Sequence, residues 1–301
     1  MALSVSVVSV TALLLDRLLG EPARFHPLVG FGNLARTVER HLHCDSRPRG
    51  VVAVLLLLTP FTAAAALLEA KVPMVSAAML WLAIGWRSLA EHARQVADAL
   101  VAGDLPVARQ RVAMLVSRDT SSLSSSAVAG ATVESVLENG NDALFGALFW
   151  FVIAGAPGVV LYRLANTLDA MWGHRNDRYR QFGWAAARLD DLLNILPARL
   201  TALGYTLCGR SDAALACWRR QGRRWKSPNA GPVMAAGAGA LDIRLGGPAT
   251  YYGRRERRPL LGLGRRAKSG DIGRARRLVA RTLLLWMTLL TVGESLVRSR
   301  F

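Results

Sequence analysis

Long runs of residues without charged side chains dominate the pattern along the chain. A bilayer core about 30 Å thick needs about 20 apolar helical residues to cross it. Residues 51–68, 72–86, 143–162 and 278–297 form such runs, the last with charges only near its ends. The first two runs are separated by residues 69–71 alone, which predicts a helical hairpin with its turn there. Helices buried in a soluble core are the alternative interpretation of these runs.

Shorter or interrupted runs predict further helices. Residues 2–15 lack a basic leader and a cleavage site, which predicts a retained, short membrane element. Residues 192–208 are interrupted by Pro197 and Arg199. The Gly and Ala residues of 230–241 permit close helix packing. Helix-forming residues prevail and strands do not alternate with helices, so we predict an all-α, polytopic integral membrane protein with its active site at the membrane surface.

Composition supports this class. The 301 residues are 52% hydrophobic and only 20% charged, which is too apolar for a disordered chain or an ordinary soluble domain. The net charge is +17, and residues 254–281 hold eleven basic and two acidic residues. We interpret this stretch as a basic loop on the cytoplasmic side and predict no nucleic-acid partner, because no nucleic-acid-binding motif accompanies it. P-loop, GxGxxG, HExxH and GxSxG motifs are absent.

A row of carboxylates precedes one apolar run. Glu134, Glu138 and Asp142 are spaced i, i+4 and i+8, which places them on one helical face. Like charges at this spacing repel, so the row predicts a site for Mg²⁺ or an ammonium group. A solvated helix face is the alternative. The nearby SRDTSS segment offers Arg118, Asp119 and Thr120 for capping or phosphate contact.

The stretch 166–200 is the richest in polar residues. Asn166 and Asp169 are i, i+3, and similar i, i+3 and i, i+4 intervals join Arg188, Asp190, Asp191 and Asn194. These intervals make two polar stripes on otherwise apolar helices. Ionisable residues beside a membrane core indicate a functional site, with mutual Arg–Asp pairing as the alternative.

Two other motifs contain turn residues. Residues 227–253 begin with Ser-Pro-Asn and include Arg-Leu-Gly-Gly, whose backbone N–H groups suit an anion. His26 stands in GEPARFHPLVG, where a packed histidine is the alternative to a ligand-binding one.

Taken in order, these motifs resemble the membrane-embedded CobD/CbiB family of adenosylcobinamide-phosphate synthases. The similarity covers nearly the whole chain as one domain over 1–301. It is carried by DRLLGEPARFHPLVGFG, SRDTSSL, ESVLENGND, the block from NTLD to PARL, SPNAG, AGAL and RLGGP. The chain departs from the family pattern where Pro232, Val233 and Met234 follow Asn-Ala-Gly, at His174, and at Ala143 and Ala147.

The resemblance implies an ATP-dependent amide ligase. It would attach (R)-1-amino-2-propanol or its O-phosphate to the carboxylate of (adenosyl)cobyric acid, with ATP and Mg²⁺ as cofactors and the corrinoid as substrate. It also implies a multi-pass protein of the cell membrane with its active site facing the cytoplasm, in contact with membrane lipid and able to form a homo-oligomer. A transporter of a corrinoid or another anion is the competing function, and a membrane-anchored anion binder is a third.

The resemblance also assigns roles to individual residues. The candidates for catalysis are Glu138, Asp142, Asp190 and Asp191, and those for Mg²⁺ are Glu138, Asp142 and Asp191. The candidates for binding substrate or ATP are Asp16, Arg17, His26, Arg118, Asp119, Thr120, Asn139, Asn166, Asp169, Arg175, Asn176, Arg188, Asn194, Asn229 and Arg244.

At residues 143–162, the positive-inside rule conflicts with the expectation that a run of this length crosses the bilayer once, and this conflict predicts a topology. Arginines flank this run on both sides, so both flanks should be cytoplasmic, whereas a single crossing would export one of them. The Gly155-Ala156-Pro157-Gly158 sequence supplies a break, so we predict a re-entrant pair buried within protein. The same-side topology agrees with the resemblance, which implies that the SRDTSS and ENGND motifs meet RNDRY and RLDD at one ATP site.

We expect cysteines placed at Ser121 and Asp177, in a background without other cysteines, to be labelled from the same, cytoplasmic side. The measurement is labelling of intact cells and of inverted vesicles with an impermeant thiol reagent. Labelling from opposite faces would show a true crossing.

Overall fold

The computed structural model describes residues 4–22, 24–174, 176–251 and 253–299, and the chain is 74% helical. The helices are α1 Val5–Leu19, α2 Pro27–Leu42, α3 Arg47–Lys71, α4 Val75–Ala83, α5 Trp86–Val101, α6 Leu105–Ala113, α7 Ser125–Gly140, α8 Gly146–Trp172, α9 Trp184–Leu193, α10 Ile195–Cys208, α11 Ser211–Gln221, α12 Ala230–Ala240 and α13 Ser269–Arg298. A π-helical segment, Asn141–Phe145, precedes α8, and a 3₁₀ turn, Gly222–Arg224, follows α11.

The residues group into two compact units. Unit 1 comprises Met1–Gly85 and Asp142–Asn194, and unit 2 comprises Trp86–Asn141 and Ile195–Phe301. Each unit is therefore built from two separate stretches of chain. The single domain over 1–301 stays a prediction.

The predicted membrane protein is confirmed by three helical stretches that are long and apolar enough to cross a bilayer. They are Arg47–Lys71, Ser125–Trp172 and Ser269–Arg298, which contain three of the predicted runs. The remaining run, residues 72–86, was predicted too long. Its helix α4 has only nine residues, or about 13.5 Å at 1.5 Å per residue. The turn before α4 lies at 72–74 rather than 69–71, since α3 continues to Lys71. The cytoplasmic orientation stays a prediction.

The prediction that the stretch 143–162 folds back is confirmed within unit 1. Ala154 (φ −139°) and Gly155 (φ +62°) leave helical geometry and divide α8 into two limbs. Gly146 in the first limb contacts the Tyr162 side chain in the second so closely that a Cβ on Gly146 would collide with it. In a straight helix these two residues would be about 24 Å apart. The limbs therefore form a helical hairpin.

The break comes before Pro157, which lies in the first turn of the second limb. A proline is tolerated there because its missing N–H would have no helical partner. The N–H of Ala156 instead donates to Glu69 Oε1 at 3.0 Å, and Ser76 Oγ donates to the same oxygen at 2.7 Å. Glu69, on α3, thus holds the start of the second limb and supplies negative charge where a helix N-terminus favours it.

The described part of unit 2 contains short strands that the sequence analysis did not predict. They are β1 Ile243–Gly246, β2 Ala249–Tyr251, β3 Arg254–Glu256, β4 Leu260–Leu261 and β5 Arg265–Arg266. Strand β1 pairs antiparallel with β4 and parallel with β5, and β2 pairs antiparallel with β3. The predicted basic loop 254–281 was wrong, because this stretch forms β3 to β5 and the start of α13. Recurrent Gly and Pro residues in 246–264 prevent a helix there.

Small residues let α12 pack closely in unit 2, as predicted. All eleven of its residues are buried. Gly237 lies against the Leu137 side chain of α7, and Gly239 lies against the backbone of α11. Larger residues would not fit at either position.

In unit 1, Glu39 of α2 anchors the segment between α8 and α9. Its carboxylate accepts hydrogen bonds from Trp172 Nε1 at 3.1 Å, Arg178 Nη2 at 2.7 Å and Tyr179 Oη at 3.0 Å. Burial raises the pKa of Glu39, but these hydrogen bonds and the charge of Arg178 outweigh it, so the pKa is lowered. Two residues of the RNDRY motif therefore have structural roles.

We expect Gly155→Ala to lower the melting temperature of the purified protein by several degrees. A Cβ would force a strained positive φ and would lie 2.6 Å from Glu69 Oε2, which together cost about 1–3 kcal/mol. Gly293→Ala is the control, since nothing lies within 4 Å of a Cβ there. Equal melting temperatures for the two variants would contradict the strained hairpin turn.

We expect Glu39→Gln to destabilise the protein by about 2 kcal/mol at neutral pH. Because the folded pKa of Glu39 is lowered, its stabilisation is complete above the unfolded value of about 4.3 and is lost as pH falls through the folded pKa. The difference in melting temperature between variant and wild type should therefore shrink below about pH 4, which melting curves across pH will measure. A gap that stays constant would show that the charge of Glu39 is not involved.

Candidate active-site residues in each unit

The predicted site residues divide between the two units. Unit 1 contains Asp16, Arg17, His26, Asp142, Asn166, Asp169, Asn176, Arg188, Asp190, Asp191 and Asn194. Unit 2 contains Arg118, Asp119, Thr120, Glu138, Asn139, Asn229 and Arg244. Arg175 lies outside the described residues.

In unit 1 the GEPARFHP motif borders a cavity of about 400 Å³. Its polar lining residues are Glu21, His26 and Arg163. Phe25 adopts φ +58° and is 98% exposed, a strained conformation of the kind that clusters at ligand sites. His26 follows as the N-cap of α2, and its Nδ1 accepts from the Leu28 N–H at 3.2 Å. The motif thus fixes the His26 ring at the cavity wall.

The His26 ring carries a hydrogen-bond donor at the wall of this cavity. Burial lowers the pKa of His26, Arg163 lowers it further, and Glu21 opposes them, so the ring is neutral at pH 7. Since Nδ1 accepts a bond, the proton is on Nε2. This Nε2 and Nε of Arg163 are buried and have no hydrogen-bond partner among the described residues. Two unpartnered donors in one cavity suit the oxygens of a carboxylate or phosphate.

Arg163 also begins a chain of hydrogen bonds through unit 1. Arg163 Nη1 donates to Asn166 Oδ1 at 3.3 Å, and Asn166 Nδ2 donates to Asp190 Oδ1 at 3.1 Å. Asn194 Nδ2 donates to the same Asp190 oxygen at 3.2 Å, and Tyr162 Oη donates to Asn194 Oδ1 at 3.0 Å. The second limb of the hairpin and α9 are joined by these bonds. Three predicted residues, Asn166, Asp190 and Asn194, are thus in contact.

The surroundings of the Asp190 carboxyl shift it towards its neutral form. Burial raises its pKa, the hydrogen bonds from Asn166 and Asn194 lower it, and the nearby charge of Asp191 raises it again, for a net increase. Asp191 itself pairs with Arg188 at 3.5 Å, the Arg–Asp pairing foreseen as an alternative. The charges of Asp190 and Asp191 also act on the carboxyl of Asp169.

Other candidates in unit 1 lie apart from this chain of bonds. Asp16 is buried near the end of α1, and the adjacent Arg17 is exposed. Asn176 Oδ1 accepts from the Tyr179 N–H at 2.9 Å, a local turn. Asp142 falls in the π-helical segment that follows α7. The predicted row of three carboxylates on one helical face stays a prediction.

In unit 2, Glu134 of α7 is the centre of a second cluster. Its carboxylate accepts from Arg118 Nη2 at 2.7 Å, Arg258 Nη1 at 3.2 Å and the Gly246 N–H at 2.7 Å. The two arginines and Glu134 are all nearly buried. A cavity of about 150 Å³ lies beside this Glu134 cluster, and Glu138, Asn139 and Tyr251 also line it.

Arg258 is a candidate site residue that the sequence analysis missed. Its Nε donates to the Gly247 carbonyl at 3.0 Å, and its Nη1 also contacts Tyr251 Oη at 3.3 Å. Its Nη2 is buried and has no hydrogen-bond partner among the described residues. Arg258 is one of eleven basic residues in 254–281, and nothing in the sequence distinguishes it from the others.

The remaining candidates of unit 2 have local roles. Asp119 pairs with the β2–β3 hairpin, because its N–H donates to the Thr250 carbonyl and its Oδ2 accepts from the Gly253 N–H. Thr120 accepts a turn bond from Leu123. Asn229 Oδ1 accepts from Arg199, and Arg244 lies on the exposed face of β1.

No group of three or more His, Cys, Asp or Glu side chains within the described residues is arranged to hold a metal ion. Of the proposed Mg²⁺ ligands, Glu138 belongs to unit 2, whereas Asp142 and Asp191 belong to unit 1. Mg²⁺ binding by these residues stays a prediction.

Comparison with known proteins identifies the family. The model of the CobD/Cbib protein family matches residues 9–279. Relatives named cobalamin biosynthesis protein CobD are 58% identical in Chromobacterium violaceum, over 95% of this chain and 96% of that protein, and 55% identical in Stutzerimonas stutzeri, over 97% and 98%. The relative of that name in Mycobacterium tuberculosis is 42% identical over 87% of each chain. No solved structure matches. The chain therefore belongs to the CobD/Cbib family.

Proposed function

We propose that this membrane protein is an enzyme of cobalamin biosynthesis that forms an amide at the expense of ATP. Its substrates would be the carboxylate of (adenosyl)cobyric acid and the amine of (R)-1-amino-2-propanol or its O-phosphate. The product would be cobinamide or cobinamide phosphate. Membership of the CobD/Cbib family and the printed names of the relatives support the pathway.

The reaction needs activation and a base. A carboxylate and an ammonium ion do not condense readily in water, so the terminal phosphoryl group of ATP would first be transferred to the carboxylate oxygen, giving an acyl phosphate and ADP. The amine nitrogen would then form the C–N bond as inorganic phosphate leaves. The ammonium proton must go to a neighbouring base before the attack.

The observation that carries the proposal is the pair of unpartnered donors in the 400 Å³ cavity of unit 1. His26 Nε2 and Arg163 Nε would donate to the oxygens of the reacting carboxylate. Positive charge on Arg163 would also stabilise the negative charge that builds up on these oxygens during acyl transfer. The N-cap role of His26 and the bond from Arg163 to Asn166 orient these two side chains.

Asp190 is the base that we assign to the amine. A raised pKa brings its proton affinity nearer to that required for proton transfer at neutral pH. Asn166 and Asn194 both donate to Oδ1, so Oδ2 remains the oxygen with which to take the proton. Asn166 and Asn194 are therefore positioning residues.

No step is assigned to a protein-bound metal, since the described residues form no such site. In unit 2, the spare Nη2 donor of Arg258 and the Glu138 carboxyl are groups with which the 150 Å³ cavity would contact a substrate.

The direct test uses the purified full-length protein with cobyric acid, ATP, Mg²⁺ and each of the two amines. We expect an amide product of the matching mass, formed together with one ADP, and no product without nucleotide. Amide formation in the absence of ATP would contradict the ligase, and ATP-independent corrinoid uptake into vesicles without amide formation would favour a transporter.

We expect Asp190→Asn to lower kcat by at least about a hundredfold, because the amide cannot take the ammonium proton. The remaining activity should rise with pH as the free amine becomes available without a base. Asp98→Asn is the matched control, since Asp98 is exposed and only 4.0 Å from Arg94 in a surface pair. Near-normal turnover of Asp190→Asn, with an unchanged pH profile, would remove Asp190 from the mechanism.

A further inference from the structure

Unit 2 has a second, larger cavity of about 650 Å³ that the sequence analysis did not predict. It lies where α10, the end of α11 and the chain leading into α12 meet. Four basic side chains and two indole rings line most of it, namely Arg199, Arg219, Arg223, Lys226, Trp218 and Trp225.

The positive charges around this cavity are not balanced by nearby carboxylates. Among the described residues, Arg199, Arg219 and Arg223 have no carboxylate within 4.0 Å, and Lys226 has only an exposed pairing with Glu256 at 3.8 Å. Arg199 is half-buried, which lowers its pKa, and its Nη1 donates to the Ile195 carbonyl and to Asn229 Oδ1. Like charges that converge on a concave surface produce a strong positive potential and attract anions. The cavity is therefore suited to a ligand with several negative charges.

The indole rings give the same cavity an apolar wall. Trp218 is on α11, and Trp225 follows the 3₁₀ turn. The guanidinium of Arg258 lies over the Trp225 ring at 5.1 Å and also binds Glu134. Trp225 thus connects the large cavity with the Glu134 cluster, so an occupant would lie close to that cluster.

Size and chemistry together define the ligand class. A volume of 650 Å³ is in the usual range of about 300–1,000 Å³ for small-molecule sites. Planar guanidinium groups bind phosphate oxygens in pairs, and indole rings pack against flat or apolar groups. We propose that this cavity binds a phosphorylated ligand with more than one negative charge, whose apolar part packs against Trp218 and Trp225.

Two sources supply such a ligand. One is a nucleoside triphosphate, whose base would stack on an indole. The other is an anionic membrane phospholipid, whose acyl chains would follow the exposed residues Leu200, Leu203 and Leu207 of α10. The shared chemistry is the phosphate group among the arginines, and binding to either source requires no turnover.

The chain offers a closely matched pair of variants. Arg219 and Arg223 line the cavity, whereas the adjacent Arg220 and Arg224 do not, and all four are exposed. Arg219→Gln with Arg223→Gln removes the same charge from the same segment as Arg220→Gln with Arg224→Gln. Any difference between the two double variants therefore reports the cavity and not the general charge of the surface.

The experiment measures binding of ATP and of tripolyphosphate to the full-length protein in neutral detergent, by titration calorimetry. In a second arm, retention of phosphatidylglycerol over phosphatidylcholine is measured by native mass spectrometry. We expect at least tenfold weaker binding in the cavity variant and less than a twofold change in the control variant. Trp218→Ala should weaken the binding of ATP more than the binding of tripolyphosphate if the base stacks on Trp218.

Each result has a defined meaning. Loss of ATP binding confined to the cavity variant supports the site with a nucleotide as its source, and loss of phosphatidylglycerol retention confined to that variant supports it with a lipid. The proposal would be overturned if the wild type bound neither ATP nor phosphatidylglycerol, or if the two double variants lost binding equally. Amide synthesis is measured separately, so failure of the ligase reaction does not alter these outcomes.

Discussion

Backbone polar groups that leave a helix in an apolar environment need partners from the protein, because lipid offers none. In unit 1 this constraint acts where α8 breaks at Ala154 and Gly155, and the carboxylate of Glu69 receives the Ala156 N–H there. Without that contact, a hairpin within the membrane-competent stretch would expose a free N–H group at a cost of several kcal/mol in hydrocarbon, about as much as a small domain can spare.

The hairpin also determines where the chemistry lies. Tyr162, Arg163 and Asn166 are all on the limb that Glu69 anchors, and their spacing along one helix brings them to Asn194 and Asp190 of α9. The fold therefore holds two donors unsatisfied, at a cost of about 1–3 kcal/mol each. Such unpaired groups persist where a ligand completes them, which is why this cavity, and not the surrounding apolar core, is the centre of our proposal.

Local patterns in the sequence predicted the features that depend on neighbouring residues. The apolar runs became the three membrane-competent stretches, the small residues of α12 are buried, and the i, i+4 spacing of Asp190 and Asn194 became a hydrogen bond. The role of Gly155 was also predictable, because a glycine before a proline is a recognised helix break.

Features that depend on distant residues were missed. Glu134 and Arg258 are 124 positions apart, and Glu39 meets Arg178 across 139 positions, which no periodicity reveals. The sequence did not predict the strands of 243–266 because each is only two to four residues long, which is too short for an alternating pattern.

The interleaving of the two units along the chain has a consequence for biosynthesis. Every residue of unit 1 has been made once Asn194 leaves the ribosome, whereas α5, α6 and α7 of unit 2 must wait for residues 195–301. Their late partner is α13, which packs on α5, α7 and α10. During translation, α7 therefore remains without part of its packing surface for about 130 residues, or about 6–26 s at common rates of synthesis. A chaperone or the insertion machinery has this interval in which to shield α7.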